Sequence, residues 1–284
     1  KTADGSQRWD YAAGNVQTSQ PAESSDEQTV YFGSADDNLH AVNTADGSLA
    51  WEAVAFDPAD GYSISSTGLL VDGKIISGLR CRGFGDNRCY IMAHDAETGR
   101  ELWRRYTTAG PGEPGGETWA DLDMIFRAGG DPWMTGTYDP ELNLVFWGAA
   151  QAKPWHRESR ETGNASLLYT SATLALDPDT GEIKWYYQYV PGESFDMDEH
   201  FAFINVDVEG RRSGFMMGKH GVLWEVDRET GELIRANDTG LQNLADIDPE
   251  RGFEPDRVVA EAPDWAVAHG VLPRRHEEWL AARS

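Results

Sequence analysis

Two carboxylates in this chain have the spacing of ligands for a hard cation. Asp196 and Asp198 are separated by one residue, so their side chains point to the same side if the segment is extended. Oxygen donors of this kind are the ligands that Ca²⁺ prefers. The alternative is that both are solvated acids of an acidic protein.

The cysteines and histidines offer few further signs of a functional site. Cys81 and Cys89 are close enough in the chain to form a disulfide in an oxidising compartment, and two reduced thiols remain the alternative. The seven histidines show no metal-ligand spacing. The sequence contains no Cys-x-x-Cys-His haem attachment motif, no Gly-rich phosphate loop and no nucleophile elbow.

A four-fold repeat predicts the elements that position these residues. Residues 41–51 read AVNTADGSLAW, 93–103 read AHDAETGRELW, 175–185 read ALDPDTGEIKW, and 226–235 read VDRETGELIR. Each copy joins two β-prone runs by a turn with an Asp and a Gly, which predicts a hairpin. Such repeats at intervals of about 40 to 50 residues predict an all-β fold, a β-propeller. We count about four to five blades over residues 1–257.

Three stretches interrupt the repeat. The Gly- and Pro-rich residues 108–118 and the mixed-charge residues 152–166 predict loops over one rim, where function usually lies. Residues 258–284 are rich in Ala, Arg and Glu, with Asp264 as a plausible helix cap, and predict a helical tail outside the propeller.

The charge excludes several classes of partner. The chain has 48 acidic and 24 basic residues, a formal net charge of −24. This argues against nucleic acid and anionic membranes, which bind clustered Lys and Arg. A cationic protein partner and a salt-rich habitat both remain open.

No apolar run approaches the roughly 20 residues of a membrane span, so we expect no membrane insertion. The absence of an initial Met or signal peptide indicates a removed leader or a fragment.

Three motifs resemble the pyrroloquinoline quinone (PQQ) dependent alcohol dehydrogenases, which are eight-bladed propellers, and they occur in that family's order. The first is AGGDPW at residues 128–133, similar to the family's Gly-Gly-x-x-Trp segment. The second is PGESFDMD at residues 191–198, similar to Pro-His-Asp-x-Trp-Asp. The third is KHGVLWEVDR at residues 219–228, similar to Lys-x-Gly-x-x-x-x-x-Asp-Arg.

The resemblance implies a role for each matching residue. Trp133 would form the floor on which the flat quinone stacks, because stacking and apolar burial bind such a ring system. Asp196 would be the general base that takes the alcohol proton. Arg228 would stabilise negative charge on the quinone oxygens. In this family a second Asp at the position of Asp198 goes with lanthanide use, and its absence goes with calcium.

The same resemblance extends to Lys219, Ser77 and Gly78 as cofactor-binding positions, with two departures. The family's metal-ligating Asn is replaced by Gln151, whose amide oxygen still suits a hard cation. No acidic residue follows Ser77 and Gly78 where the family has a Glu ligand, and Asp86 is the nearest candidate. The ring of adjacent cysteines that covers the quinone in many relatives is also missing.

The leading hypothesis is therefore a PQQ-dependent enzyme that oxidises a small alcohol by hydride transfer, with calcium or a lanthanide ion. The metal shell would be Gln151, Asp196 and Asp198. The resemblance implies the periplasm, and the absent haem motif implies a separate electron acceptor, for which a basic c-type cytochrome suits the anionic surface. The alternatives are a noncatalytic propeller that scaffolds other proteins and an inactive truncated fragment.

Overall fold

The computed structural model describes residues 6–13, 19–34, 38–66, 68–81, 88–241, 247–250 and 252–253. Within these residues the chain forms four antiparallel sheets of four or five strands, which are blades 1 to 4 of the predicted β-propeller, and two further strand pairs. The predicted fold class is confirmed. The predicted tail, residues 258–284, and Asp86 lie outside the described residues.

Each blade follows the chain order of its strands. Blade 1 contains β1 (Ala22–Glu23), β2 (Thr29–Gly33), β3 (Asn38–Asn43) and β4 (Leu49–Val54). Blade 2 contains β5 (Ser63–Ile64), β6 (Leu69–Val71), β7 (Lys74–Arg80), β8 (Tyr90–Asp95) and β9 (Glu101–Tyr106), with β5 and β6 both paired to β7. Blade 3 contains β11 (Thr137–Asp139), β12 (Leu144–Ala149), β14 (Ala172–Leu176) and β15 (Ile183–Gln188). Blade 4 contains β16 (Ile204–Val208), β17 (Arg211–Met216), β18 (Val222–Asp227) and β19 (Leu233–Asp238).

Shorter elements lie between and after the blades. They are the strand pair β10 (Ala128–Gly129) and β13 (Ala152–Lys153), the strand pair β20 (Ile247–Asp248) and β21 (Gly252–Phe253), the helix α1 (Arg157–Arg160), and 3-10 helices at Pro58–Asp60, Gly116–Trp119 and Met124–Phe126. No helix in the described part of the chain has the length and apolar character needed to cross a bilayer.

The antiparallel order gives every blade two different ends. The repeated hairpins, at 43–48, 95–100, 177–182 and 227–232, join the third strand of a blade to the fourth, and we call their end the hairpin rim. The segments from second to third strand, and from one blade to the next, lie at the opposite end, the connection rim. The interruptions at 108–118 and 152–166 belong to the connection rim, as the sequence predicted.

A tryptophan and a glycine connect each blade to the next. The indole of Trp103 in blade 2 lies over Gly181 of the blade 3 hairpin, where a Cβ would fall 2.5 Å from the ring. Its Nε1 donates a hydrogen bond to Pro178 O at 2.9 Å. Gly181 has φ +67°, which a tight turn requires and side chains disfavour. The same contact recurs for Trp9 with Gly47, Trp51 with Gly99, and Trp185 with Gly231.

The apolar core lies between neighbouring sheets. One cluster joins blades 1 and 2 around Tyr31 and Tyr90, a second joins blades 2 and 3 around Trp103 and Trp147, and a third joins blades 3 and 4. Cys81 and Cys89 belong to the first cluster and are disulfide-bonded, so the disulfide alternative is the one observed. Because each sheet packs on the next, the ends of the blades are held at fixed positions around the connection rim.

Candidate functional site

A cavity of about 450 Å³ opens at the connection rim. Loops of blades 2, 3 and 4 contribute its walls, which combine acidic, basic and aromatic side chains. They include Arg80, Asp131, Trp133, Gln151, Lys153, Trp155, Asp196 and Asp198. The cavity therefore brings together Trp133, Gln151 and both predicted carboxylates, which lie up to 65 residues apart in the chain.

The strand pair β10–β13 brings Trp133 and Gln151 together. Gly129 pairs with Ala152, and Gly130 N donates to Gln151 O at 3.0 Å, so the AGGDPW motif runs beside the segment that follows Gln151. Gly129 and Gly130 have φ +99° and +68°, and a Cβ on Gly129 would lie 2.5 Å from Gln151 O. The glycine pair of this motif thus allows two backbones to approach closely.

Asp196 and Asp198 both line the cavity, but their backbone conformation is not the predicted one. Their φ angles are +59° and +49°, so the segment is not extended, and the argument from strand alternation is wrong. Both residues instead have left-handed backbone conformations within a loop. Lys219 N donates to Met197 O at 3.1 Å, which holds this loop against the connection from β17 to β18.

Gln151 and Asp196 are joined by a hydrogen bond. Gln151 Nε2 donates to Asp196 Oδ1 at 2.5 Å. Gln151 Oε1 is buried and has no hydrogen-bond partner among the described residues. A buried polar oxygen without a partner is costly, and a cation would satisfy it. Together with the Asp198 carboxylate, this donor set of hard oxygens fits a cation such as Ca²⁺ or a lanthanide.

Lys219 lies beside both carboxylates. Its Nζ forms an ion pair with Asp198 and lies 3.5 Å from Asp196 Oδ2. The hydrogen bond with Asp198 raises the pKa of Lys219 above its usual value, so the ammonium stays charged at neutral pH. One edge of the cavity thus offers a fixed positive charge next to a half-exposed carboxylate.

Trp133 has one edge fixed by a buried histidine. Its ring centroid lies 5.2 Å from that of His200 and 6.2 Å from that of Phe201, both edge-on. Burial lowers the pKa of His200 to about 3, so this imidazole is neutral. These two ring contacts restrain the indole where it lines the cavity, and a rigid stacking surface requires such restraint.

Ser77 and Gly78 do not line this cavity. Both are interior residues of β7, and Ser77 is fully buried. A Cβ on Gly78 would fall 1.9 Å from Pro132 O, so Gly78 lets the segment that carries Trp133 cross the strand. Gly78 therefore has a positioning role, and the contact of Ser77 and Gly78 with a cofactor stays a prediction.

Arg228 does not reach this cavity either. It follows β18 at the hairpin rim, whereas the cavity is at the other end of that strand. Its carbonyl accepts the hydrogen bond of Trp185 Nε1 at 3.1 Å, and its guanidinium pairs with Asp139 and Asp207 at 3.4 and 2.5 Å. The Asp-Arg dipeptide is therefore a turn of the repeat, equivalent to Asp177-Pro178. The cation of the third motif that reaches the cavity region is Lys219.

Sequence reasoning missed an ion pair inside the cavity. Lys153 Nζ lies 2.7 Å from Asp131 Oδ1 and also donates to Cys81 O at 2.9 Å. Burial raises the pKa of Asp131 despite the lysine. Asp131 lies within the AGGDPW motif, and its charge in an otherwise apolar segment was the available signal.

Sequence reasoning also missed Glu193. Its carboxyl is buried, and burial raises the pKa to about 7.

Comparisons with known proteins agree with this architecture. The model of the β-propeller domain of glucose, ethanol and alcohol dehydrogenases, designated PQQ, matches residues 2–236. A quinohemoprotein alcohol dehydrogenase of Pseudomonas putida, ADH IIB, is 36% identical over 233 residues, which are 76% of this chain and 33% of that protein.

Solved structures give the same result. The quinohemoprotein alcohol dehydrogenase ADHIIG of Pseudomonas putida HK5 superposes with a TM-score of 0.73 at 30% identity, over 81% of this chain and 36% of the other. A europium-containing methanol dehydrogenase has a TM-score of 0.71 at 24% identity, over 81% and 43% of the two chains, which supports the fold alone. The chain spans about a third of the length of the curated relatives it matches.

Proposed function

Because this chain belongs to the β-propeller domain family of the glucose, ethanol and alcohol dehydrogenases, we propose that it carries the quinone and metal site of a PQQ-dependent alcohol dehydrogenase. The observation that carries the proposal is the cavity at the connection rim. Trp133, Gln151, Asp196 and Asp198 all line it, although they come from three separate segments of the chain. A scaffold would not require two carboxylates, an aromatic floor and a buried amide oxygen that lacks a hydrogen-bond partner among the described residues.

Trp133 would hold the quinone, and Gln151 with Asp196 and Asp198 would hold the cation. When bound, the pair supplies a polarised carbonyl that accepts the hydride of a primary or secondary alcohol. Asp198 has an 11% exposed side chain, so it gains most from a cation that compensates its buried charge. The family's Glu ligand has no counterpart among the described residues of β7 and its flanks, so other oxygens must complete the shell.

Asp196 would act as the general base. Its side chain is 48% exposed, so an alcohol can reach it from the cavity. The hydrogen bond from Gln151 Nε2 fixes Oδ1 and leaves Oδ2 to face the alcohol proton and Lys219. The proton would move to Oδ2 as the alcohol carbon loses its hydride. The Lys219 ammonium would stabilise negative charge that develops nearby, the role first assigned to Arg228.

The finer parts of the proposal concern metal, partner and compartment. Asp198 favours a lanthanide over calcium through the resemblance described above. A basic c-type cytochrome as electron acceptor suits a chain of net charge −24, and we place the protein in the periplasm with that acceptor. The matched family and relatives are dehydrogenases, which does not favour the scaffold alternative.

Reconstitution tests the proposal directly. The protein is incubated with PQQ and either Ca²⁺ or La³⁺ and desalted, and retained quinone is read by absorbance and dye reduction with short alcohols. We expect retained quinone and activity with at least one cation. Asp196→Asn should keep the quinone but lower kcat by about 10²- to 10⁴-fold, the usual contribution of a general base. No quinone retained with either cation would refute the proposal.

Two basic residues provide a matched comparison in the same assay. Lys219→Gln should weaken quinone retention, because the variant lacks the charge beside Asp196 and Asp198. Arg228→Gln removes the same charge at the hairpin rim and should leave retention per folded molecule unchanged. If Arg228→Gln weakens quinone retention and Lys219→Gln does not, the original assignment of Arg228 is restored.

A further inference from the structure

A second chamber of about 700 Å³ adjoins the cavity described above. Arg80, Lys153 and Trp155 line both, so the two are adjacent at the connection rim, and we call them together the joint space. Tyr62 and Cys81 line the second chamber only. A ligand in this chamber therefore lies next to the space that Asp196 and Asp198 line.

The cations of this joint space differ in how they are neutralised. Lys153 is paired with Asp131 at 2.7 Å, and Lys219 is paired with Asp198. Arg80 forms no hydrogen bond or ion pair through its side chain with any residue in the described part of the chain. Arg80 is thus the cation of this space whose guanidinium has no carboxylate partner among the described residues.

The chamber walls around Arg80 are largely apolar. The Tyr62 hydroxyl is already used, since it donates to Arg88 O at 3.0 Å, so the ring is what Tyr62 offers to a ligand. Trp155 is 49% exposed and Cys81 is locked in its disulfide. The chamber thus combines a fork of N–H donors with aromatic surface, which suits a carboxylate attached to an apolar or aromatic body.

We propose that this chamber selects alcohols that carry a carboxylate, with Arg80 as the residue that holds the carboxylate. The inference rests on the proposed function for the oxidation itself, and it adds the substrate class. The hydroxyl end of such a molecule would extend past Trp155 toward Asp196. The quinone also carries carboxylates, so the test must separate the two sources of the same chemistry.

Binding to the cofactor-free protein gives the first arm. The probes are 4-(hydroxymethyl)benzoate and 4-(hydroxymethyl)benzamide, which match in shape and differ in charge, measured by calorimetric titration. We expect the benzoate to bind about tenfold more tightly than the benzamide, the size of one charge-assisted hydrogen-bonded pair.

Variants of Arg80 test which residue causes this preference. Arg80→Gln should abolish the preference, and Arg80→Lys should retain part of it because the charge remains without the planar fork of N–H donors. Arg100→Gln, which removes an exposed positive charge at the hairpin rim, should leave the preference intact. Equal binding of both probes to the unaltered protein would overturn the inference.

Kinetics of the reconstituted holoprotein give the second arm. Arg80→Gln should raise KM for the benzoate about tenfold, with KM for the benzamide and quinone retention unchanged. If Arg80→Gln instead loses quinone and activity on both alcohols, Arg80 holds the quinone and the inference is wrong. If the unaltered holoprotein oxidises neither alcohol, the proposed function fails, and the binding arm still decides whether the chamber prefers the carboxylate.

Discussion

The two carboxylates of the cavity differ in their exposure to solvent, which supports the different roles proposed for them. The Asp196 side chain is 48% exposed and that of Asp198 is 11% exposed. An exposed carboxylate can exchange a proton with a ligand, whereas a buried one mainly requires a compensating positive charge. Lys219 supplies part of that charge, and Gln151 Oε1 has no hydrogen-bond partner among the described residues, which supports the proposed cation.

Asp198→Asn tests the cation site at the level of one side chain. Tb³⁺ luminescence sensitised by the indole of Trp133, which lines the same cavity, reports binding. We expect the substitution to weaken Tb³⁺ binding by about tenfold or more, because the charge of the ligand set controls affinity. Asp72→Asn, which alters an exposed turn at the hairpin rim, is the control and should leave the titration unchanged. Equal titration curves for Asp198→Asn and the unaltered protein would contradict the assignment.

The buried carboxyl of Glu193 predicts how the free energy of unfolding depends on pH. Burial raises its pKa from 4.5 to about 7. Between these values the folded chain keeps a proton that the unfolded chain releases, so the free energy of unfolding falls as pH rises, by up to about 1.4 kcal/mol per pH unit. Urea unfolding at pH 5 and pH 7.5 measures this loss, and Glu193→Gln should reduce it. Glu97→Gln, at an exposed turn, should leave this loss unchanged. If Glu193→Gln has the same pH dependence of the free energy of unfolding as the unaltered protein, another group is responsible.

At the scale of elements, the contact between a tryptophan and the next hairpin is the repeated unit of this fold. The outer strand of one blade presents an indole, and the glycine of the following hairpin leaves room for it. The same contact explains Arg228, since the residue after the hairpin Asp offers its carbonyl to the indole of the previous blade. Residues at this position are therefore held by their backbone, and their side chains vary: Thr44, Ala96, Pro178 and Arg228.

Gly181→Ala tests this unit. The new Cβ would lie 2.5 Å from the Trp103 ring at φ +67°, so both steric overlap and backbone strain oppose it. We expect the free energy of unfolding to fall by about 2–4 kcal/mol. Gly73→Ala is the matched control, because Gly73 has φ +75° with no atom within 4 Å of a Cβ, and only the strain of about 1 kcal/mol applies. Similar losses in chemical denaturation for both variants would show that the tryptophan contact is not tightly packed.

At the scale of the whole molecule, charge is the dominant property. A net charge of −24 on one chain creates repulsion that opposes the compact state and attracts cationic partners. Arg80, Lys153 and Lys219 are nevertheless gathered at the connection rim, two of them in the cavity and Lys219 beside its carboxylates. An acidic exterior around a partly cationic cavity is compatible with a cationic electron acceptor outside and an anionic ligand within.

Salt should therefore stabilise the protein. Monovalent salt raised from about 10 to 200 mM shortens the Debye length from about 30 Å to less than 10 Å, which screens repulsion between surface carboxylates. We expect the urea midpoint at pH 7.5, measured with a chelator present, to rise with NaCl. Near pH 4.5, the isoelectric point of the sequence, the same salt should have little effect. A midpoint that falls with salt at pH 7.5 would mean that attractive ion pairs outweigh the net repulsion.

The sequence by itself determined the blades, since turn glycines, hairpin spacing and the recurring tryptophan are local signals that each blade repeats. It also predicted Trp133, Gln151, Asp196 and Asp198 as site residues, because their motifs resemble a known family, and the structure places all four around one cavity. The tertiary structure decided which motif residues meet. Arg228 and Lys219 belong to one motif, but a six-residue strand separates the two rims, and only Lys219 lies beside the carboxylates. The pairing of Asp131 with Lys153 also depends on a tertiary contact, the pairing of β10 with β13, which a repeat pattern does not encode, because packing sets it and spacing along the chain does not.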